Sequence, residues 1–406
     1  MTDPFCAKCG ACTTVCPVFQ VTGKEFLTAR GRLHLLDKLQ KDTKNSTYGA
    51  LLSQCLLCGA CEAFCPQGLD ITRRIATARQ QLAWFHTDQA LGKYLTAATL
   101  NHASWLAKVP ALSSGLARFL ELLPPESGLR RKLVTFSALE FSASKLPALT
   151  EQLRNSGEED LLYFPGCLAN HFQADIGHAT AELAEHATGK KPAVPKDVSC
   201  CGLAAYTGGS LEAARQAART NISALASSKA APILTSCASC YSHLRSYPSL
   251  FETDDPWHDK AGAFAERVLE FSTWLADQSR FMEILNRTAS RNSPSRRVLY
   301  HDPCHLRFHC KITDPPRQLL NAVPDITPVE AEDGSRCCGM GGLFQLAHQE
   351  LSASILTGTL TGYNALVPDI VTTTCSGCLL QLKSGFRKTQ SDCEVVHLSL
   401  ILRRCL

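Results

Sequence analysis

The sequence predicts a mixed fold: a small helical N-terminal domain, a helical linker, and two homologous α/β modules. Three observations carry this expectation. A four-cysteine run occurs twice before residue 76, and residues 76–155 hold no cysteine while placing apolar residues at helical spacing. A five-cysteine pattern then occurs twice in the remainder. The expected organisation is 1–75 as the first domain, 76–155 as the linker, 156–255 and 298–406 as the two modules, and 256–297 as a connector between them.

The whole chain has 406 residues, 45% hydrophobic and 19% charged, which is the balance of a folded protein of two or three domains. Its net charge of +4 is small for this length, so charge alone implies neither a nucleic-acid footprint nor a polybasic membrane patch. The unusual quantity is 21 cysteines against 3 methionines and 4 tryptophans. The start, MTDPFCAKCG, has neither a basic segment nor an apolar run, so an exported, disulfide-bonded protein is not expected. In a reducing cytoplasm, thiols at short spacings point to metal. No apolar run is long enough to span a bilayer, which leaves peripheral contact at the inner face of the cell membrane as the membrane association to consider.

In the first domain the runs are Cys6-x2-Cys9-x2-Cys12-x3-Cys16-Pro17 and Cys55-x2-Cys58-x2-Cys61-x3-Cys65-Pro66. This is the spacing of the bacterial two-cluster [4Fe-4S] ferredoxin, in which three thiolates of one run grip one cube and the fourth reaches the other cluster. Two-residue gaps wrap a tight loop, and the proline turns the chain away. The pattern therefore assigns Cys6, Cys9, Cys12 and Cys65 to one cluster, and Cys55, Cys58, Cys61 and Cys16 to the other. A zinc ribbon needs two separated CxxC pairs and does not fit two complete four-cysteine runs.

The linker contains helical-looking segments such as ITRRIATARQQLAWF and LSSGLARFLELL, and Pro124 and Pro125 divide the stretch into several helices. Their apolar faces are expected to pack on the modules, with docking to a membrane surface or a partner as the alternative.

The modules repeat a pattern. YFPGCLANH from Tyr163 resembles YHDPCHLRFH from Tyr300, Cys167 to Cys200 spans the same interval as Cys304 to Cys337, and a CxxC follows each adjacent pair. The sets are Cys167, Cys200, Cys201, Cys237 and Cys240, then Cys304, Cys337, Cys338, Cys375 and Cys378. Matching spacing implies duplication. Apolar runs ending at the cysteines (DLLYFPGC, APILTSCASC, RRVLYHDPC, PDIVTTTCSGC), with Ala-rich segments between, read as strands and helices that place the cysteines in loops at strand ends.

These sets resemble the cysteine-rich CCG domain found in heterodisulfide reductase, in lactate-oxidation iron–sulfur proteins and in anaerobic glycerol-3-phosphate dehydrogenase. With two ferredoxin runs in front, order and length look most like the glycolate oxidase (glycolate dehydrogenase) iron–sulfur subunit, over essentially the whole chain. The resemblance implies one or two noncubane [4Fe-4S] clusters in the CCG modules, with zinc in one as the alternative. It also implies a flavin-dependent 2-hydroxyacid dehydrogenase complex, in which an FAD partner oxidises substrate and this chain passes electrons toward a quinone or another acceptor. No flavin or nicotinamide fingerprint is present in this chain, and GMGG at 339–342 lacks the rest of a phosphate loop. The alternatives are a heterodisulfide reductase-like enzyme that reduces a disulfide at a CCG cluster, and a zinc-stabilised scaffold.

His301 and His305 flank Cys304 and are the candidates for proton transfer, with Asp302 the nearest carboxylate in sequence. His171, His243 and His309 also lie near module cysteines. Gly208, Gly209, Gly339, Gly341 and Gly342 are expected to let backbone approach a cluster. Cys310, Cys393 and Cys405 lie outside both patterns and read as packing thiols.

Overall fold

The computed structural model describes residues 5–39, 46–82, 158–226, 231–287, 295–331 and 336–406. The helices expected between Leu82 and Leu153 lie outside the described residues.

The first domain is built from helices and turns. Helices Ala11–Val15 and Ala60–Ala63 follow the two cysteine loops, and Pro17 occupies the first position of Pro17–Thr22, where its missing N–H costs nothing. Ala29–Leu39 and Ile71–Gln81 bury Leu33, Leu36, Ile71, Ile75 and Ala76 against one another, with Leu52 of Ser46–Ser53. Asp70 caps the second of these long helices by accepting from the Arg73 amide at 3.3 Å.

The duplicated loops have the same backbone. Lys8 and Leu57, at matching places in the two runs, have φ of 56° and 52°, and Gly10 and Gly59 have φ of 87° and 79°. Left-handed residues thus flank both Cys9 and Cys58, a geometry that turns successive N–H groups toward one concavity and suits an anion.

Each CCG module is a four-stranded parallel sheet. The first joins β1 (Glu158–Tyr163), β2 (Pro192–Ala193), β3 (Ile233–Thr235) and β4 (Val268–Glu270) in the order β2-β1-β3-β4. The second joins β5 (Arg296–Tyr300), β6 (Ile326–Val329), β7 (Ile370–Thr373) and β8 (Glu394–His397) in the order β6-β5-β7-β8. The strand order is the same in both, so the duplication seen in the cysteines is a duplication of fold. The central strands are short apolar runs buried on both faces: Ile370, Val371, Thr372 and Thr373 are all buried.

The stretch 256–297 is more than a connector. Within it, helix Pro256–Glu266 leads to β4, which pairs with β3 as the edge of the first sheet, and Phe271, Leu275, Phe281 and Leu285 enter an apolar core shared with the second module. Its charged surface positions hid a short strand of only three residues.

In doubly wound sheets, connections leave in opposite directions where strand order reverses, opening a crevice at the carboxyl ends. Here that point lies between β1 and β3, and between β5 and β7. Cys167 and Cys237 follow the first pair, and Cys304 and Cys375 the second. A hydrogen bond ties the ends together in each module: Tyr163 Oη to Ser236 Oγ at 2.7 Å, and Tyr300 Oη to Thr374 Oγ1 at 2.8 Å.

Candidate metal centres

Two cavities open in the first domain. One of about 370 Å³ is lined by Cys6, Cys9, Cys12 and Cys65, with Cys61 at its wall. The other, of about 380 Å³, is lined by Cys16, Cys55, Cys58 and Cys61. In each, the fourth cysteine of one run joins three from the other run.

Sulfur-rich walls without a carboxylate suit a soft metal rather than magnesium or calcium. Charge points the same way. Arg32, on the wall of the second cavity and 1% exposed, donates to the carbonyls of Leu27, Leu51 (3.2 Å) and Gln54 (2.9 Å). Arg79, also buried, donates to Leu52 O from Nε at 3.0 Å, to Thr207 O at 2.7 Å and to Cys55 O. Among the described residues neither has a carboxylate partner. A buried cation needs a counter-charge, and thiolates holding an anionic cluster supply one. Burial pulls the Arg79 guanidinium down to about 10, opposed by the charge of Cys55.

Sequence reasoning missed both arginines. The available signal was position: Arg32 and Arg79 fall on the apolar faces of their helices, Arg32 beside Leu33 and Leu36 and Arg79 between Ala78 and Leu82.

Within each module the cysteines lie against one another. In the second module Cys338 and Cys378 sulfurs are 3.3 Å apart, and a ring nitrogen of His301 lies within 4.8 Å of both. Cys237 and Cys375 are the residues just before helices Ala238–Arg245 and Ser376–Lys388, where amide donors and the helix dipole favour thiolate, but the hydrogen bond with Cys375 and burial push the Cys237 thiol up to about 12. Hydrogen bonds from Cys237 and Cys378 hold Cys375 well below the ordinary thiol range, and those from Cys337 and Cys378 bring Cys338 down to about 6. In the first module a hydrogen bond from Cys167 lowers Cys200 in the same way. Thiolates solvated mainly by other thiols are a donor set that a metal would neutralise, and the residues fit iron–sulfur or zinc ligation.

The four sets lie in a row. Cys61 borders both first-domain cavities. Cys16 and Cys58 pack in one cluster with Cys304 and Cys337 of the second module. The two modules then meet at their CxxC loops: the Ala238 amide donates to Thr374 O at 2.8 Å, and Ser239 Oγ lies 3.2 Å from Cys375 Sγ. The second module therefore brings its cysteines beside Cys58, while the first module touches the first domain through Tyr206 and Thr207.

The Gly339 amide donates to Cys337 Sγ at 3.4 Å, so backbone does approach a sulfur there. The glycines after the CCG motifs also make close approaches to protein: a Cβ on Gly341 would meet Leu56 Cδ2 at 2.5 Å, one on Gly209 the Arg79 carbonyl at 3.0 Å, and one on Gly339 the Ser352 carbonyl at 2.7 Å. They let the first domain and the helix Gln349–Asn364 dock tightly.

Among the histidines, His301 Nδ1 bonds Tyr363 Oη at 2.7 Å, and burial lowers its imidazole to about 4. Asp302 acts on it through charge, and its carboxylate is engaged twice by Arg317, at 2.8 and 2.9 Å. His305 Nδ1 lies 3.4 Å from Ser239 Oγ and 3.8 Å from Cys304 Sγ, and its ring stacks on His309 at 5.3 Å. His171 sits beside Asn170 at 3.3 Å, and the buried His243 Nδ1 lies 3.3 Å from Ser246 Oγ. The remaining thiols pack: burial raises Cys310 and Cys393 to about 11, and Cys405 donates to Ile401 O at 3.3 Å. No helix among the described residues is long and apolar enough to cross a membrane.

Comparison with known proteins agrees with this layout. Residues 5–69 match the 4Fe-4S dicluster domain, and residues 161–245 and 298–383 each match the cysteine-rich CCG domain. The chain is 26% identical over 422 aligned positions to the "Probable glycolate oxidase iron-sulfur subunit" of Bacillus subtilis, covering 98% of this chain and 92% of that one. It is 28% identical over 239 positions to "Lactate utilization protein A" of Oceanobacillus iheyensis, covering 59% of this chain and 94% of the relative. A Bacillus cereus "Lactate utilization protein A 1" is likewise 28% identical, with 59% and 96% covered.

Proposed function

This chain belongs to the iron–sulfur proteins that join a 4Fe-4S dicluster domain to two CCG domains, and from that premise we propose that it is the electron-transfer subunit of a flavin-dependent 2-hydroxyacid dehydrogenase complex of the glycolate type. Substrate oxidation belongs to an FAD partner, and the acceptor is a quinone or another carrier. The coarser oxidoreductase role follows from its relatives, which are an oxidase iron–sulfur subunit and lactate-utilisation proteins.

In this reading Cys6, Cys9, Cys12 and Cys65 hold one cubane cluster, and Cys16, Cys55, Cys58 and Cys61 the other. Cys167, Cys200, Cys201, Cys237 and Cys240 hold a noncubane cluster in the first CCG module; Cys304, Cys337, Cys338, Cys375 and Cys378 hold one in the second. When bound, such clusters take and give single electrons. The protein's own part is to hold the donor sets next to one another, to bury most of the CCG cysteines, and to place the Arg32 and Arg79 charges beside the second set. The observation that carries the reading is the row itself, running from the Cys6 set through the Cys58 set and the second module to the first. A scaffold has no need to place four sulfur-rich sites in contact.

The test is anaerobic co-purification with native partners, followed by flavin, iron and sulfide analysis and EPR during turnover. The reading predicts FAD on a second chain, and iron–sulfur signals that appear on adding a 2-hydroxy acid. Signals that respond to disulfide substrates and never to a 2-hydroxy acid would overturn it.

A further inference from the structure

The two modules are alike in strand order and cysteine number but differ beside the adjacent cysteines. In the second, His301 follows β5, and its amide donates to Thr372 O at 2.7 Å, which fixes its backbone. In the first, Phe164 holds the matching place, its amide donating to Leu234 O at 2.8 Å. The partner of His301 differs as well. Asn221 and Thr359 mark equivalent turns of the following helix, because each donates to the carbonyl of the first adjacent cysteine, Cys200 at 3.0 Å and Cys337 at 2.8 Å. One turn later stand Leu225 and Tyr363. The first module thus has Phe164 and Leu225 in its apolar core where the second has a hydrogen-bonded His301–Tyr363 pair.

An apolar pair suffices for packing, as the first module demonstrates. A buried imidazole carries a desolvation cost that a metal bond at its second nitrogen would offset. With Nδ1 engaged by Tyr363, Nε2 is the nitrogen left, and the ring lies within 4.8 Å of the Cys338 and Cys378 sulfurs. A metal-bound histidine commonly donates its other N–H to a fixed oxygen, which sets the tautomer, and the Tyr363 hydroxyl is that oxygen here.

We propose that His301 is a metal-binding residue of the second CCG module, giving iron there a nitrogen donor beside Cys338 and Cys378, while in the first module, among the described residues, the buried His243 forms no such group with two cysteines and the site is all-sulfur. The proposal rests on the reading that the CCG modules hold iron–sulfur clusters. Its consequence is chemical asymmetry between duplicated sites.

The experiment uses the full chain purified without oxygen, enriched in ⁵⁷Fe and labelled with ¹⁵N in histidine only. Mössbauer spectra should contain a doublet for iron with a nitrogen ligand, and pulsed EPR of the reduced protein should show a histidine nitrogen coupling that changes with the label. Both signatures should vanish in His301→Phe, which copies the first module, and persist in Tyr363→Phe. Should His301→Phe fail to fold, the wild-type label experiment decides alone. Full iron content without a coupled histidine nitrogen, or a coupling that survives His301→Phe, overturns the proposal and leaves the cluster reading intact. Iron confined to the first domain, about eight per chain, removes that reading and the proposal with it.

Discussion

The Nε2 of His309 lies 3.2 Å from the carbonyl oxygen of Leu57, so a side chain of the second CCG module holds the backbone of the loop that presents Cys58. Leu57 is left-handed at φ 52°, and a Cβ added at the nearby Gly59 would come within 2.7 Å of the same nitrogen. The contact joins the two sites at the centre of the row.

Gly59→Ala should therefore both clash with His309 and strain a backbone at φ 79°. The strain alone costs about 1 kcal/mol. Adding His309→Ala should recover the part due to the clash and leave the strain. Thermal unfolding of the two single variants and the double variant checks this, with the double more stable than Gly59→Ala alone.

Arg79→Met should strand the Leu52 and Thr207 carbonyls and remove a buried positive charge next to the Cys55 loop. Lost bonds to a charged donor put the cost at roughly 2–4 kcal/mol. Because a nearby cation favours the more negative reduced cluster, the potential of the second cubane centre should fall. An EPR redox titration reads the shift, and an unchanged potential would detach Arg79 from that centre.

His397 gives the fold an acid limit. Its Nδ1 accepts from the Ser399 amide at 3.1 Å, capping the last helix, and its Nε2 lies 3.1 Å from Ser236 O in the first module. Burial lowers the imidazole to about 4. The unfolded chain takes up this proton near pH 6.5 and the folded chain only near 4, so stability falls as pH drops through that window, by roughly 3 kcal/mol in all. Denaturation midpoints measured from about pH 7 down to about pH 4 should show the decline, and His397→Asn, which can still cap, should show less of it.

Cys58→Ser should interrupt reduction of the terminal acceptor while the flavin partner still oxidises substrate with an artificial dye. Loss of dye reduction in a correctly assembled complex would contradict the division of labour. Cys201→Ser should abolish any noncubane EPR signal from the first module, and an unchanged signal would place its source elsewhere.

Much of this was legible in the sequence because cysteine spacing is a local property. The x2 and x3 gaps determine how a loop wraps, and the strands before Cys167, Cys237, Cys304 and Cys375 stand where apolar runs indicated. What escaped was long-range. Nothing in the spacing says that Cys58 faces Cys304 and Cys337, or that Cys237 meets Cys375 across the modules, since those contacts depend on docking. Arg32 and Arg79 were missed because nothing local shows that their guanidinium groups are buried against backbone carbonyls. Gly341 was expected at a cluster and instead seats Leu56, and Asp302, adjacent to His301 in sequence, is held by Arg317.

Iron and acid-labile sulfide, counted per chain in protein purified without oxygen, test the central claim most directly. Four clusters require about sixteen of each, with a brown colour that dithionite bleaches. A colourless, iron-free chain that still supports full electron transfer in its complex would contradict the account.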